Sequence, residues 1–215
     1  MFKDRLEAAK LLSKKIKETL GDMKDVIVLA IPRGGIIVGA EVARFFGWDL
    51  DITIPRKLGA PGNPELAIGA IGEHGGLVIN DRAYKLLGID KDYLDKIIEK
   101  EKKEIERRSS LYRTKRFDYK GKNLIIVDDG IATGSTVIAS IRGLRTSEPK
   151  SIVVAVPVLP YETIDLIKKE ADILIYLMAP KEFWAVGQFY ADFGEVKDEE
   201  VVRILKEFSK DIKDS

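Results

Sequence analysis

Apolar residues in this chain form short unbroken runs that alternate with segments of helical periodicity. Four such runs lie at residues 26–31, 124–127, 152–157 and 173–178. Runs of this length are typical of strands that are buried on both faces, as in a parallel sheet. The segments between them repeat apolar residues every three or four positions, as helices that cover a sheet do. We therefore predict an α/β fold: a parallel, twisted sheet flanked by helices and connected by right-handed crossovers.

Composition and charge narrow the classes of function. The 215 residues suffice for a sizeable core, and we predict that residues 1–215 form a single domain. The formal net charge is +1, which gives no overall field for nucleic acid or a membrane surface. The chain has no cysteine, no apolar run of membrane-spanning length, and a charged amphipathic helix at residues 2–20 in place of a signal peptide. We expect a cytoplasmic protein with neither a membrane nor a nucleic-acid partner.

The most informative segment is residues 124–136, which read LIIVDDGIATGST. A buried strand is followed by the acids Asp128 and Asp129, a turn bracketed by glycines, and the start of a helix. Ligands of open α/β sheets bind at such strand ends, and a helix N-terminus offers unpaired amides and a partial positive charge to a phosphate. The two carboxylates repel a phosphate, so they suit sugar hydroxyls or a metal ion beside it. A ribose 5-phosphate satisfies both halves of the segment.

A second strand, glycine turn and helix lie earlier in the chain. The strand at residues 26–31 is followed by Pro32, Arg33, Gly34 and Gly35, and then by a helix. A cation here replaces the two carboxylates of the other turn, so this turn suits a second, more exposed anion. An ordinary Pro-Gly turn is the alternative interpretation.

A third segment carries a basic pair, Arg56 and Lys57, after an alternating strand at residues 50–55. Residues 58–64 contain two prolines and two glycines, a composition that argues against regular structure. Residues 68–71 and 77–79 predict a hairpin, with His74 in its solvated turn. We interpret the segment as a mobile loop that closes over a ligand. An exposed basic pair at the end of a strand is the alternative.

A run of basic residues follows a long, highly charged helix predicted at residues 91–110. Its members are Arg107, Arg108, Arg113, Lys115 and Arg116. Such a patch can attract RNA, but we expect a solvated connection between two elements.

The sequence VDDGIATGST resembles the signature of type I phosphoribosyltransferases that binds 5-phosphoribosyl 1-pyrophosphate (PRPP). The resemblance implies that Asp128 and Asp129 hold the ribose hydroxyls. It implies that the 5-phosphate is bound by Gly130, Ile131, Ala132, Thr133, Gly134, Ser135 and Thr136. The pyrophosphate would be bound by Pro32, Arg33, Gly34 and Gly35, assisted by Arg56 and Lys57. The segment from residue 56 would be the flexible lid hairpin of that family, which closes over PRPP and excludes water.

Residues 180–196 form an aromatic-rich segment after the last predicted strand. It is similar to the hood over the base in hypoxanthine-guanine enzymes, and we predict a small C-terminal hood here. The similarity implies that Trp184 stacks on a base, that Ala185 offers backbone hydrogen bonds, and that Val186 also belongs to the base-binding residues. It further implies that Asp192 lies near the pyrophosphate or a metal ion. The spacing before Asp192 is one residue longer than in that family. The alternative is that the aromatic residues pack beneath a C-terminal helix at residues 198–212.

One residue departs from the pattern of the 6-oxopurine enzymes. They carry an aspartate in the phosphate loop that acts as general base, and this chain has Ala132 there. Adenine and orotate enzymes also lack that aspartate, so the departure weakens a purine-salvage function without excluding transfer.

The resemblance as a whole implies a Mg²⁺-dependent phosphoribosyltransferase. It would release pyrophosphate, join ribose 5-phosphate to a nitrogenous acceptor such as a nucleobase, and form a homodimer. Mg²⁺ would be held mainly by PRPP and water. Catalysis would be electrostatic, through Asp128, Asp129, Arg33, Arg56 and Lys57. Two other functions remain open, a PRPP-binding regulator without transferase activity and a PRPP hydrolase.

Overall fold

A computed structural model describes residues 1–113 and 115–211 of the chain. In chain order, its helices and strands are α1 (Arg5–Leu20), β1 (Val26–Ala30), α2 (Gly35–Phe46), β2 (Asp49–Ile52), β3 (Arg56–Ala60), β4 (Asn63–Ile71), β5 (Leu77–Ile79), α3 (Asp81–Leu86), α4 (Lys91–Tyr112), β6 (Asn123–Val127), α5 (Ser135–Arg145), β7 (Ser151–Val158), α6 (Ile164–Lys168), β8 (Ile173–Met178) and α7 (Asp198–Asp211).

The predicted parallel sheet is confirmed. Its five strands lie in the order β2-β1-β6-β7-β8, and every neighbouring pair is parallel. All residues of β1 and β6 are buried, because helices cover both faces of the sheet. One apolar cluster joins the sheet to α1, α2 and α7, and a second joins it to α5 and α6. Strands β1 and β6 pair in register up to Ala30 and Val127, so the two glycine turns leave the sheet side by side.

The prediction that residues 58–64 lack regular structure is wrong. Strands β3 and β4 form an antiparallel hairpin that turns at Pro61 and Gly62, the latter with a φ of 72°. The hairpin tolerates its prolines because the pairing is irregular between Leu58 and Ala60. A Cβ atom on Gly59 would lie 2.8 Å from the Cα atom of Pro64, so glycine is needed for the strands to pack there. The predicted pairing of residues 68–71 with residues 77–79 is confirmed in β4 and β5.

The expected solvated connection after α4 is wrong for Arg113, whose side chain is only 12% exposed. Its guanidinium donates to Asp51 Oδ1 at 3.1 Å, to Glu73 Oε1 at 2.5 Å and to the carbonyl of Ile52 at 2.8 Å. Burial alone would lower the pKa of Arg113, but the hydrogen bond to Glu73 and the charge of Asp51 raise it. Tyr119 donates to the other oxygen of Asp51 at 2.7 Å. This cluster ties the turn before β5 to the edge of the main sheet.

Helix boundaries agree with the sequence at some ends and differ at others: α1 begins at Arg5 and not at residue 2, and α4 ends at Tyr112 and not at residue 110. Asp90 caps α4 as predicted and accepts the amide of Tyr93 at 2.6 Å. The predicted helix at residues 161–169 is α-helical only from Ile164 to Lys168, after a 3₁₀ turn. Residue 212, the predicted end of the last helix, lies outside the described residues. Within the described residues, no helix is both long and apolar enough to span a bilayer.

Candidate functional site

The two glycine turns contact each other directly. A Cβ atom on Gly34 would lie 1.9 Å from Asp129 Oδ2, and a Cβ atom on Gly35 would lie 2.8 Å from Asp128 Oδ1. The peptide bond between Pro32 and Arg33 is cis. The backbone of the first turn therefore passes the two acids at a distance that only glycine permits, which joins the two predicted anion sites into one region.

The turn after β6 places a row of amides at the N-terminus of α5. Gly134 caps the helix with a φ of 80°, a conformation that favours glycine. The amide of Ile131 donates to the carbonyl of Val158 at 2.9 Å, which anchors the turn on β7. No acceptor for the amides of residues 132–134 lies among the described residues. Thr133 is exposed and Thr136 is half-buried, so their hydroxyls are accessible as well. The turn therefore leaves backbone and hydroxyl donors accessible where the sequence analysis predicts a phosphate.

Asp129 forms an ion pair with Arg5, a residue that the sequence analysis did not assign to the site. Arg5, in the first turn of α1, donates from Nε to Asp129 Oδ2 at 2.7 Å, and the two side chains are only 10% and 13% exposed. The same guanidinium donates to the carbonyl of Gly194 at 2.8 Å and lies 3.8 Å from the ring centre of Phe193. Tyr190 donates its hydroxyl to the backbone oxygen of Asp129 at 2.6 Å.

A sequence signal for Arg5 exists in the pattern of α1. The buried positions of this helix are Arg5, Ala8, Ala9, Leu12, Ser13 and Ile16. A cation on the buried stripe of an amphipathic helix must find a counter-charge, because burying an unpaired charge is costly. The sequence therefore shows that Arg5 needs an acid, although it does not show which one.

Asp128 differs from its neighbour in its surroundings. Burial raises the pKa of Asp128 well above its ordinary value, and the negative charge of Asp129 raises it further. Asp128 Oδ1 accepts the amide of Asp129 at 2.8 Å. Among the described residues no cation pairs with Asp128, whereas Asp129 is paired with Arg5. Burial and the charge of Asp129 also raise the pKa of Tyr190.

A cleft of about 490 Å³ lies between the hairpin of β3 and β4 and helix α4, and it reaches the first glycine turn and the start of α5. Its lining includes Pro32, Arg56, Lys57 and Thr136, which the sequence analysis assigned to one ligand. Arg56 donates to Glu101 of α4 at 2.8 Å, so this predicted anion-binding residue already has a carboxylate partner. Lys57 is exposed beside it. The structure thus brings the basic pair, Arg56 and Lys57, to the same cleft as Thr136 at the start of α5.

Arg33 points elsewhere. Its guanidinium lies 2.9 Å from Glu195 and 3.8 Å from Asp198, at the end of the hood and the start of α7. Both partners are at least one-third exposed, so this ion pair is a weak one. An anion at the first turn would have to compete with Glu195 for Arg33.

The hood packs on the turn after β6 through Val186. A Cβ atom on Gly130 would lie 2.5 Å from Val186 Cγ1, so the two segments are in close contact. Trp184 is 89% exposed, as a residue that stacks on a ligand would be. The amides of Trp184 and Ala185 donate to Gln188 Oε1 at 2.8 and 3.1 Å, so the predicted donor of Ala185 is already used within the hood.

The remaining hood residues pack on the N-terminus. Phe189 and Tyr190 form an apolar cluster with Phe2, Ala8 and Val158, so the alternative of packing beneath the C-terminal helix is wrong for them. Asp192 accepts the amide of Gly194 at 3.2 Å and donates its own amide to the carbonyl of Lys3 at 2.8 Å. It is not among the residues that line the cleft. In the described part of the chain, no three His, Cys, Asp or Glu side chains are placed to share a metal ion.

Known proteins resemble this chain over nearly its whole length. Residues 3–193 match a protein-family model described as a phosphoribosyl transferase domain. The chain is 40% identical to the protein TT1426 of Thermus thermophilus, whose crystal structure aligns with a TM-score of 0.80 over 96% of this chain and 98% of that one. It is 38% identical over 213 residues to a protein of Mycobacterium tuberculosis, from strains CDC 1551 and H37Rv, with a provisional phosphoribosyl transferase name. That alignment covers 98% of this chain and 48% of the relative, so the chain spans about half the length of the curated relatives it matches.

Proposed function

Because the chain belongs to the phosphoribosyl transferase family, we propose that it transfers ribose 5-phosphate from PRPP to a nitrogenous acceptor and releases pyrophosphate. The acceptor that suits the hood best is a flat ring such as a nucleobase. One observation carries the proposal: a helix N-terminus with unused amides lies directly beside an acid pair in which Asp128 is half-buried and Asp129 is buried.

Each part of PRPP has a matching part of the site. The 5-phosphate takes the amides and hydroxyls between Ala132 and Thr136, where the helix dipole also favours an anion. The ribose hydroxyls donate to the acid pair of Asp128 and Asp129. The pyrophosphate takes the first glycine turn and the basic pair that shares its cleft. Each hydrogen bond to a charged oxygen contributes about 1.5–3 kcal/mol.

Transfer then breaks one bond and forms another. The bond between ribose C1 and the pyrophosphate oxygen breaks, and its electron pair leaves with pyrophosphate. The acceptor nitrogen forms the new bond to C1. Arg56 and Lys57, and Arg33 once the anion displaces Glu195 from it, stabilise the negative charge that grows on pyrophosphate. The carboxylates favour the positive charge that develops on the sugar. The hairpin of β3 and β4 excludes water, which would otherwise hydrolyse the ribosyl centre.

Mg²⁺ enters this scheme with the substrate. The site offers the acid pair but no cage of three ligating side chains among the described residues, which fits an ion held mainly by PRPP oxygens and water. Such an ion neutralises charge on the leaving pyrophosphate. Asp192, the metal ligand suggested by the resemblance, turns its carboxylate to Gly194 instead.

The hood supplies contacts for the acceptor. Trp184 offers an exposed ring for stacking, which contributes about 1–3 kcal/mol per base. Val186 packs against Gly130, which joins the hood to the turn after β6. A base that accepts a hydrogen bond from Ala185 has to displace the amide oxygen of Gln188.

The test is an assay of pyrophosphate release from PRPP and Mg²⁺ across a panel of nucleobases. We expect release with at least one base, and no release by a variant carrying Asp128→Asn and Asp129→Asn. Asp22→Asn, which lies before β1 at the opposite end of that strand, serves as the control and keeps the wild-type rate. PRPP binding without release with any base would contradict the proposal and favour a regulator. Release that needs no base would favour a hydrolase.

A further inference from the structure

We infer that Arg5 is a positioning residue of the sugar site, which fixes the Asp129 carboxylate and couples it to the hood while Asp128 remains free to bind ribose hydroxyls. The inference rests on the proposed function, because it assigns a role to Arg5 in holding the same sugar. Both carboxylates serve the sugar, and they differ in that Arg5 holds Asp129 in place whereas Asp128 has no cationic partner among the described residues.

The guanidinium of Arg5 is committed in three directions. Nε donates to Asp129, one terminal nitrogen donates to the carbonyl of Gly194, and the planar group lies over the ring of Phe193. A guanidinium group with these three contacts has little rotational freedom, so the Asp129 carboxylate oxygen that it binds is fixed as well. Asp128 has no such partner among the described residues.

Stability alone gives a poor reason for this buried pair. Removing two charges from water costs several kcal/mol for each ion, and well-packed apolar replacements are often as stable as a buried pair or more so. The pair also determines the backbone around it. A Cβ atom on Gly34 would lie 1.9 Å from Asp129 Oδ2 and 3.1 Å from Arg5 Nε, so the first glycine turn is packed against both charged groups.

The segment that carries Arg5 is also paired with the hood. The amide of Phe2 donates to the carbonyl of Phe189 at 2.7 Å, and the amide of Ala191 donates back to the carbonyl of Phe2 at 2.8 Å. Tyr190 reaches from the hood to the backbone oxygen of Asp129. The sugar acids and the acceptor hood therefore share one support, and a displacement of either one changes the position of the other.

Titration calorimetry with two ligands tests the inference. Inorganic phosphate uses only the amides of the turn after β6, whereas ribose 5-phosphate also uses the acid pair. We expect Arg5→Met to lower the affinity for ribose 5-phosphate about tenfold or more, and to change the affinity for inorganic phosphate less than about twofold. Arg5→Lys, which keeps the charge but loses the planar fork, gives an intermediate affinity for ribose 5-phosphate.

Two further variants complete the design. Arg203→Met removes an exposed arginine of α7 that pairs with Glu207, and it leaves both affinities unchanged. In a variant that already carries Asp129→Ala, adding Arg5→Met lowers the affinity for ribose 5-phosphate by less than about twofold, since the side-chain oxygen that Arg5 holds is gone.

Several results would overturn the inference. One is wild-type affinity of Arg5→Met for ribose 5-phosphate, and another is an equal loss of both ligands, which indicates a purely structural role. If Arg5→Met does not fold in a thermal scan, the decision falls to Arg5→Lys, and wild-type affinity in that variant overturns the inference. Absence of ribose 5-phosphate and PRPP binding in the wild type overturns the proposed function, and the inference with it.

Discussion

The two glycine turns share a plan and differ in how they reach their ligand-binding form. Each follows a buried strand, the strands are neighbours, and each turn opens a helix. The turn after β6 presents amides that its own consecutive residues leave unpaired. The turn after β1 is shaped by distant groups, since its glycines pack on Asp128 and Asp129 and its arginine pairs with Glu195. The form of the turn after β6 is therefore set by residues that are consecutive in the sequence, whereas the form of the turn after β1 depends on the assembled fold.

The largest effect is expected from Gly34→Ala, which adds a Cβ atom where Asp129 Oδ2 lies 1.9 Å away. Either the turn or the ion pair with Arg5 has to move, so we expect a loss of about 3 kcal/mol in the free energy of unfolding and loss of PRPP binding. Chemical denaturation and calorimetry measure the two. Gly194→Ala, whose Cβ atom would lie 3.7 Å from its nearest neighbour, is the control and should be nearly neutral. A neutral Gly34→Ala variant would contradict the dependence of this turn on the acids.

Asp128→Asn should have opposite effects on binding and stability. We expect ribose 5-phosphate affinity to fall about tenfold or more, while the melting temperature at pH 7 rises. Burial and the charge of Asp129 raise the pKa of Asp128 in the folded chain, so holding this carboxylate ionised at pH 7 costs folding free energy. That cost grows as pH rises above the ordinary value of 3.8 and is absent below it. The gain in melting temperature should therefore vanish near pH 3.8, and a gain that is equal at both pH values would contradict this assignment.

Arg33→Met should have a smaller and more selective effect. Its ion pair with Glu195 is exposed, so we expect the free energy of unfolding to change by less than about 1 kcal/mol. PRPP affinity should fall about tenfold, because PRPP carries a pyrophosphate, whereas ribose 5-phosphate affinity should stay the same. Arg44→Met removes an exposed arginine of the helix that follows this turn, which pairs with Glu207, and it should leave both affinities unchanged. An equal loss of affinity for PRPP and for ribose 5-phosphate in Arg33→Met would show that the turn after β1 does not bind the pyrophosphate.

The contrast between local and distant partners also explains what the sequence could predict. The strand, turn and helix around residues 124–136 were predictable, because the strand, acids, glycines and helix start are consecutive residues. The ion pair of Arg5 and Asp129 was missed, because its partners are 124 positions apart. The burial of Arg113 was missed for the same reason, since Glu73 lies 40 positions earlier. A charged residue shows in the sequence that it needs a partner, but only the fold selects which one.

The prediction for residues 58–64, which form part of the hairpin of β3 and β4, was wrong for a different reason. The prolines and glycines of this segment argue against a strand in isolation, and the prediction rested on that local composition. Pairing with the neighbouring strand and packing against α4 outweigh that local preference, as the hydrogen bond from Tyr93 to the carbonyl of Gly59 at 2.9 Å illustrates. The hood shows the same limit, because its aromatic residues pack on Phe2 from the other end of the chain.

The most direct test of the central claim is a titration of ¹⁵N-labelled protein with ribose 5-phosphate, followed by NMR of the backbone amides. The claim is that the turn after β6 binds the phosphoryl group through its amides while the neighbouring acids hold the sugar. We predict that the largest shifts occur at residues 130–136 and that Asp22 does not shift. Shifts confined to the separate cavity beside Glu73 and His74, or no shifts at saturating ligand, would contradict the claim.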